Sequence, residues 1–573
     1  MAWNEALQER VSPARELRTA LGDPEDDDNV FSFARAVECD EQERFPEDAA
    51  AVLSEWGLYR CFVPRALGGA LPAFDESLAI MRAVSRHDPA LAVAFGQCFL
   101  AATPAWIAGD AEVQRRTAAL LFAGSPMSFA LTERAHGSDI VAGDVKAETR
   151  VGHHVLHGEK WLINNATRAA ALCVLARTEP QGGPRGFSLF LFEKARTPTT
   201  TFRHLPKMRT HGIRSADISG IVFEGARVDN ASVIGTSGSG VEVALGTLLV
   251  TRTMCPGFSL GAADTALRLV LRFARERKLY GSTVWNLRPV REQLASAWSD
   301  LLVCDALANA GARALHTVPE QISVWAAASK YFVPTRVEEI FRSLASVLGA
   351  RFYLREEYVC GIFQKLLRDA MVVGLFDGST MVNLHALALQ LQTLARRSTE
   401  SDPGRAARGR LVFSRGQALP EADLSRLSLT ARGANDAVQL LASTAEALAD
   451  ARLQIDVRRS VGSALAALRE TLARDERTAL AIAPMAARES SELFELARRY
   501  CAIHAAACAA GEWLASGASD GEWLAVALHR LCLLVGCEHP PPGRRVYDAV
   551  AEQLAASPAA HRSSSFTMTP EVS

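Results

Sequence analysis

The chain has almost no net charge. Its 62 Lys and Arg against 64 Asp and Glu leave −2, and the two signs are interspersed. A nucleic-acid binder needs a basic face or stripe, so no nucleic-acid partner is expected. Ordered cysteine patterns are missing too: 11 cysteines occur, with no CxxC pair and no Cys/His cluster at zinc spacing. They read as buried thiols in a reducing compartment, and no metal site is expected. No apolar stretch of about 20 residues stands out, so no transmembrane segment is expected. The first residues, MAWNEALQERVSPARELR, are amphipathic and carry acids, unlike a signal or transit peptide. Cytoplasmic location is the resulting expectation. The glycine-rich run GTSGSG (235–240) is not Gly-x-Gly-x-x-Gly and reads as a flexible lead into a helix. No repeat with a period of about 20–50 residues is visible. The length, 573 residues, exceeds one ordinary core and implies two or three domains.

What is present is an order of patterns. Residues 29–125 carry apolar groups at helical spacing, as in AVLSEWGLYRCFVP and SLAIMRAVSRHDPALAVAFGQCFLAATPAW. The acids Glu25 to Asp28 before them read as a solvated loop. Short β-branched or aromatic runs follow (MSFALT, HHVLHGEKWLIN, ALCVLART, RGFSLFLFEK, ISGIVFE), separated by Gly, Asn, Asp and Pro. That is a compact β domain. Long helical spacing returns from Val241 to about Leu394. A polar stretch with Pro and Gly, RRSTESDPGRAARGR, reads as a linker. An Ala- and Leu-rich helical block ends the chain, with Val461, Leu465, Leu468 and Leu472 on one face. The tail SPAAHRSSSFTMTPEVS reads as frayed. The expected division is 1–125 helical, 126–240 β, 241–396 helical, 397–410 linker and 411–573 a further helical domain with its tail. The fold class is α+β, mainly α.

Four segments carry candidate chemistry. FALTERAHGSD (129–139) leaves a strand for a turn whose glycine and serine can present donors to a phosphate or a flavin edge, or merely exit the strand. GEKWLINNA (158–166) sets an indole beside two amides and a lysine, which suits a flat aromatic ring as well as an ordinary half-buried strand. ARERKLYG (274–281) ends a long helix with Arg277, which can clamp a pyrophosphate or complement the helix dipole. GLFDGST (374–380) holds a lone carboxylate, Asp377, just before a helix. Its plain reading is a helix cap. In the last block Cys501, His504 and Cys508 share a helix face, where core packing is the expectation over a metal site.

Together and in order, LTERAHGSD, GEKWLINN, FEGARVDNASVIG, RKLYG, LGARF and RDAMVVGLFDGST resemble the motifs of the acyl-CoA dehydrogenase family over roughly residues 30–395. The resemblance implies an N-terminal helical domain, a middle β-barrel and a C-terminal four-helix bundle. It implies an FAD cofactor touched by Leu131, Thr132, Ser138, Leu162, Asn164 and Ser379. Arg277, Tyr280, Leu348 and Gly349 match positions that reach a cofactor held by a neighbouring subunit, so a homo-oligomer is implied. The block after residue 410 is similar in position and length to the extra domain of very-long-chain acyl-CoA dehydrogenases, which makes a dimer the expected assembly.

The family places a glutamate at position 377 as the base that removes the α-proton of an acyl thioester. Asp377 is the corresponding acid and Arg252 the corresponding active-site arginine. Aspartate is shorter by one C–C bond, ~1.5 Å, and a displacement near 1 Å can cost ~100-fold in rate. Thr251 stands where some relatives carry the base instead. Trp161 falls one residue before the family's tryptophan, leaving Leu162 in its place, and Asn164 replaces a Thr or Ser. Arg288 or a neighbour replaces a glutamine, and Arg351 with Phe352 replaces glycine-rich sequence. The implied activity is FAD-dependent α,β-dehydrogenation of an acyl group on coenzyme A or a carrier protein. An electron-transfer flavoprotein or oxygen is the implied acceptor. The alternatives are a flavin monooxygenase on the same fold and a degenerate, non-catalytic assembly subunit.

Overall fold

The computed structural model describes residues 12–398, 404–414, 418–483 and 490–560. The helices start where capping chemistry sits. Ser12 caps α1 (Pro13–Leu21) and Ser32 caps α2 (Phe33–Glu41), each accepting from the backbone three residues on. After α3 (Glu47–Trp56) and α4 (Phe74–Ser85), Asp88 caps α5 (Pro89–Ala108), with Pro89 at its first position. Asp110 caps α6 (Ala111–Phe122). The acids Glu25 to Asp28 are exposed, as expected.

The strands follow: β1 (Met127–Ala130), β2 (Lys146–Arg150), β3 (His153–Asn164), β4 (Ala171–Arg177), β5 (Phe187–Glu193), β6 (Phe202–Leu205), β7 (Ile218–Asp229) and β8 (Val233–Ile234). Their order is β6-β7-β3-β2-β4-β5-β8, with β1 parallel to β4. β4 and β5 are buried on both faces almost throughout, which is why their sequences are continuous apolar runs rather than alternations. With residues of β1 to β7 gathered around one apolar core, the middle segment is a sheet domain. β6 and β8, its two ends, are short and do not pair with each other among the described residues. Phe202 of β6 stands edge-on to Phe192 of β5 in the core.

The remaining helices are α7 (Gly240–Met254), α8 (Pro256–Glu276), α9 (Arg288–Thr317), α10 (Ile322–Leu348), α11 (Ile362–Ala370), α12 (Thr380–Ser398), α13 (Arg405–Phe413), α14 (Leu440–Ala447), α15 (Ile455–Ala481), α16 (Ser491–Ala515), α17 (Glu522–Leu534) and α18 (Arg544–Ala556). A small hairpin, β9 (Lys278–Leu279) with β10 (Ser282–Thr283), follows α8. The chain divides into two compact units, 1–72 with 88–251, and 73–87 with 252–573. The first holds the sheet. In the second, α8, α9, α10 and α12 pack as a bundle, and α4 lies against α8. There Arg82 of α4 pairs with Asp264 of α8 and Asp305 of α9, all buried.

The C-terminal block packs onto that bundle: α16, α17 and α18 run against α9, and α15 and α16 against α12. Val461, Leu465 and Leu468 are buried, as their spacing implied. Part of the expected linker is helix instead. In α13, Arg405 and Arg408 both pair with the carboxylate of Asp436, which is itself buried, so composition alone hid an anchored helix. Residues 399–403 of that stretch, and the tail from His561, lie outside the described residues.

The expectation that no apolar stretch reaches spanning length is also corrected. Pro89–Ala108 and Gly240–Glu276 are long and apolar enough to cross a membrane, and 78% and 94% of their most apolar windows are buried inside the protein. A helix buried on all sides needs apolar residues on all sides, which is the pattern of α5.

Candidate active site

In the first unit, the loop after β1 is held by one buried acid. Glu133 accepts from the backbone N–H groups of Asp144 (2.5 Å) and Val145 (3.2 Å), and from Lys160 Nζ at 2.7 Å. Lys160 also donates to the carbonyl of Leu131 at 2.8 Å, and Trp161 N–H donates to the carbonyl of Thr132 at 3.0 Å. Burial pulls the Lys160 ammonium below its ordinary range, and Glu133 opposes that pull. The pair ties the loop 131–145 to β3, so Leu131 and Thr132 lie beside Trp161 and Leu162. Ser138 is exposed at the turn of that loop.

β3 carries a bulge here. Trp161 pairs with Gly220 and Ile163 with Ser219, leaving Leu162 between them at φ +56° and 42% exposed. Asn164 follows, its carbonyl accepting from Ser128 Oγ at 2.5 Å. Trp161 Nε1 and Asn164 Oδ1 are buried with no hydrogen-bond partner among the described residues. One orphan donor and one orphan acceptor, beside a residue turned outward by a bulge, fit a planar ring carrying both donors and acceptors. A flavin is such a ring.

In the second unit, Arg277 closes α8, and Tyr280 sits at the tip of the β9–β10 hairpin at φ +53° and 96% exposed. Both side chains are exposed. Leu348 is the buried last residue of α10, and Gly349 turns the chain at φ +62° with open space around its α-carbon. Arg351 lies over the Phe273 ring at 5.5 Å.

Asp377 stands in the same unit at φ +54°, followed by Gly378 at φ +84°. Two successive left-handed residues reverse the chain before α12. A short polar side chain tolerates that region better than a long one, which favours aspartate here over glutamate. The capping reading of Asp377 is corrected: α12 is capped by Ser379, whose Oγ accepts from the N–H of Val382 at 3.3 Å. The hydroxyl expected at the flavin thus has a structural partner.

Three groups surround the Asp377 loop. Arg252 near the C-terminal end of α7 donates from Nε to the Asp377 carbonyl at 2.7 Å. A Cβ at position 378 would lie 2.5 Å from Arg252 Nη2, so a side chain there would displace the guanidinium, and the φ itself favours glycine. Cys255, at the break between α7 and α8, donates from Sγ to Asp377 Oδ2 at 3.4 Å. Lys330 of α10, fully buried, donates to the carbonyl of Val373 and, at 3.4 Å, to that of Gly378. Its ammonium lies 5.0 Å from the Phe376 ring. Burial pushes the Cys255 thiol well above its ordinary range, and Asp377 pushes it further, so the group is a donor. Burial lowers Lys330, opposed by Cys255 and Asp377. Leu375 and Met381, flanking the acid, are 70% and 60% exposed.

Sequence reasoning missed Cys255 and Lys330. The signal for Lys330 was there: a single cation in the otherwise apolar run ISVWAAASKYFV. Cys501, His504 and Cys508 are buried in α16, where His504 Nδ1 and Asn435 Nδ2 are 3.0 Å apart.

Comparison with known proteins covers the same residues. Residues 31–125, 128–226 and 238–392 match the N-terminal, middle and C-terminal domains of acyl-CoA dehydrogenases. The probable acyl-CoA dehydrogenase FadE25 of Mycobacterium tuberculosis is 27% identical over 371 residues, covering 63% of this chain and 93% of that one. Among solved structures, glutaryl-coenzyme A dehydrogenase in its glutaryl-CoA complex aligns with TM-score 0.59 and 23% identity, over 67% of this chain and 95% of its own. The prolyl acyl carrier protein oxidase AnaB aligns with TM-score 0.58 and 21% identity, over 65% and 97%. Three consecutive domain matches, on the fold and loops just described, make this chain a member of the acyl-CoA dehydrogenase family, whose enzymes are flavin-dependent oxidoreductases.

Proposed function

We propose that the protein is an FAD-dependent dehydrogenase of acyl thioesters, with Asp377 as the base. The observation that carries this reading is the state of Asp377. Its helix is capped by Ser379, its main chain is clamped by Arg252, and its Oδ2 is held by a thiol donor. A half-buried carboxylate fixed in this way serves proton abstraction, which needs an acid held within hydrogen-bond reach of the α-carbon.

FAD, when bound, supplies the two-electron oxidant that takes the β-hydride. Trp161 Nε1 and Asn164 Oδ1 offer it a donor and an acceptor, and Leu131, Thr132, Ser138 and Leu162 line its approach. Arg277, Tyr280, Leu348 and Gly349 are available to a cofactor held by a second copy. Asp377 takes the α-proton on its carboxylate. Arg252 holds the Asp377 carbonyl while that charge changes. Leu375 and Met381 offer apolar surface to an acyl chain. The product is the α,β-unsaturated thioester, and the proton leaves Asp377 to solvent. The acyl carrier is coenzyme A or a carrier protein, and the acceptor is an electron-transfer flavoprotein or oxygen.

Asp377→Asn tests the reading. Asparagine keeps the shape and cannot take the proton. The expected result is FAD retained at wild-type stoichiometry and no flavin reduction by any member of a panel of short-, medium-, long- and branched-chain acyl-CoA and acyl-carrier-protein thioesters. Wild-type reduction rates in this variant remove Asp377 from the mechanism.

A further inference from the structure

Fully buried lysines are costly unless their charge is used, because burial favours the neutral form. Lys330 donates to the carbonyls of Val373 and Gly378, so it brackets the segment that carries Asp377. Across the loop, Cys255 stands where Pro256 interrupts the helical ladder between α7 and α8. That break sets its Sγ 3.4 Å from Asp377 Oδ2, within the reach of a thiol hydrogen bond. One group therefore acts on the main chain on both sides of the acid, and the other on the carboxylate itself.

We propose that Cys255 and Lys330 are positioning residues for the Asp377 carboxylate: the thiol fixes the direction of Oδ2, and the ammonium pins the loop and holds a positive charge beneath it. The proposal rests on the reading of Asp377 as the base. It answers the problem posed by a short acid. An aspartate lacks the reach of a glutamate, so its one productive orientation must be enforced by its surroundings. A donor or a cation beside a carboxylate is a partner of its charged form, so removing one is read in a pH profile. The ionisable groups facing this loop are Arg252 from α7, Cys255 at the α7–α8 break, and Lys330 and Glu338 from α10. The Glu338 carboxylate lies 3.7 Å from where a Cβ of residue 374 would be.

The test uses the full-length FAD-loaded protein and the variants Cys255→Ala, Cys255→Ser, Lys330→Gln and Asp377→Asn. Difference infrared spectra of the substrate-free protein read the Cys255 S–H stretch. Stopped-flow flavin reduction by the fastest acyl-CoA of the panel is recorded against pH. The S–H band should lie below the frequency of a free thiol and shift in Asp377→Asn. Cys255→Ala should move the low-pH limb of the rate profile about 0.5–1 unit to higher pH, the worth of one hydrogen bond. Cys255→Ser keeps a donor and should restore the limb. Lys330→Gln should move it in the same direction and slow reduction about tenfold, with FAD still bound. A band at the free-thiol frequency, unmoved in Asp377→Asn, overturns the proposal whether or not Asp377 is the base. A shifted band with an unmoved limb in Cys255→Ala, while Asp377→Asn is inactive, overturns it and leaves the base reading standing. Wild-type rates in Asp377→Asn overturn both.

Discussion

Arg252 Nε donates to the main-chain carbonyl of Asp377 at 2.7 Å, and the same guanidinium occupies the space a side chain at residue 378 would need. The arginine reads the backbone of the acid's loop. Substitutions that disturb this contact should therefore act through the position of the acid.

Gly378→Ala is the sharpest of these. Its Cβ would stand 2.5 Å from Nη2, on a backbone at φ +84°. The left-handed conformation alone costs roughly 1–2 kcal/mol for a residue with a side chain. Displacement of the acid by about 1 Å should slow flavin reduction ~100-fold while FAD stays bound. Stopped-flow absorbance and the flavin-to-protein ratio measure the two effects separately.

Asn164→Val should weaken FAD binding about tenfold, the loss of one hydrogen bond to a buried group. Asn164 Oδ1 has no partner among the described residues, so the flavin-free protein loses nothing by the change. Its thermal midpoint without FAD should be unchanged or higher. A lower midpoint, with FAD affinity intact, would assign the amide to the fold.

His504 sets a pH dependence. Burial pushes it down to about 3. The unfolded chain binds a proton near pH 6.5, so stability present above that value is lost as pH falls from there toward 3. The slope reaches about 1.4 kcal/mol per pH unit for this one group. Urea unfolding at a series of pH values should give His504→Gln a slope smaller by one proton. Equal slopes would contradict the assignment.

The assembly should be a dimer. The α15–α18 helices lie on α9 and α12, so those bundle faces are covered within the chain. The exposed Arg277 and Tyr280 remain available for one two-fold contact. Light scattering on the full-length protein should return the mass of two chains. A tetramer would show that the C-terminal block leaves a second pairing face open.

The order of helical, strand and helical segments was legible because each periodicity reflects which faces are buried, and burial patterns are local in the sequence. The motif loops were legible for a similar reason: glycine, serine and aspartate at turns are demanded by backbone geometry near their own positions. Asp377 could be picked out in this way, whereas the buried pair of Glu133 and Lys160 emerged only from the fold. What the sequence could not decide was whether Asp377 caps its helix. That depended on Ser379 taking the Val382 N–H, on a chain reversed by two left-handed residues. Nor could it bring together Arg252, Cys255, Lys330 and Asp377, whose positions span 125 residues between the first and the last. Such contacts are set by helix packing, and side-chain type alone carries no record of which distant loop a buried lysine or thiol will meet. The same holds for α13. Its polar, Pro- and Gly-bearing approach reads as a linker until Asp436, distant in sequence, supplies the buried carboxylate that anchors Arg405 and Arg408.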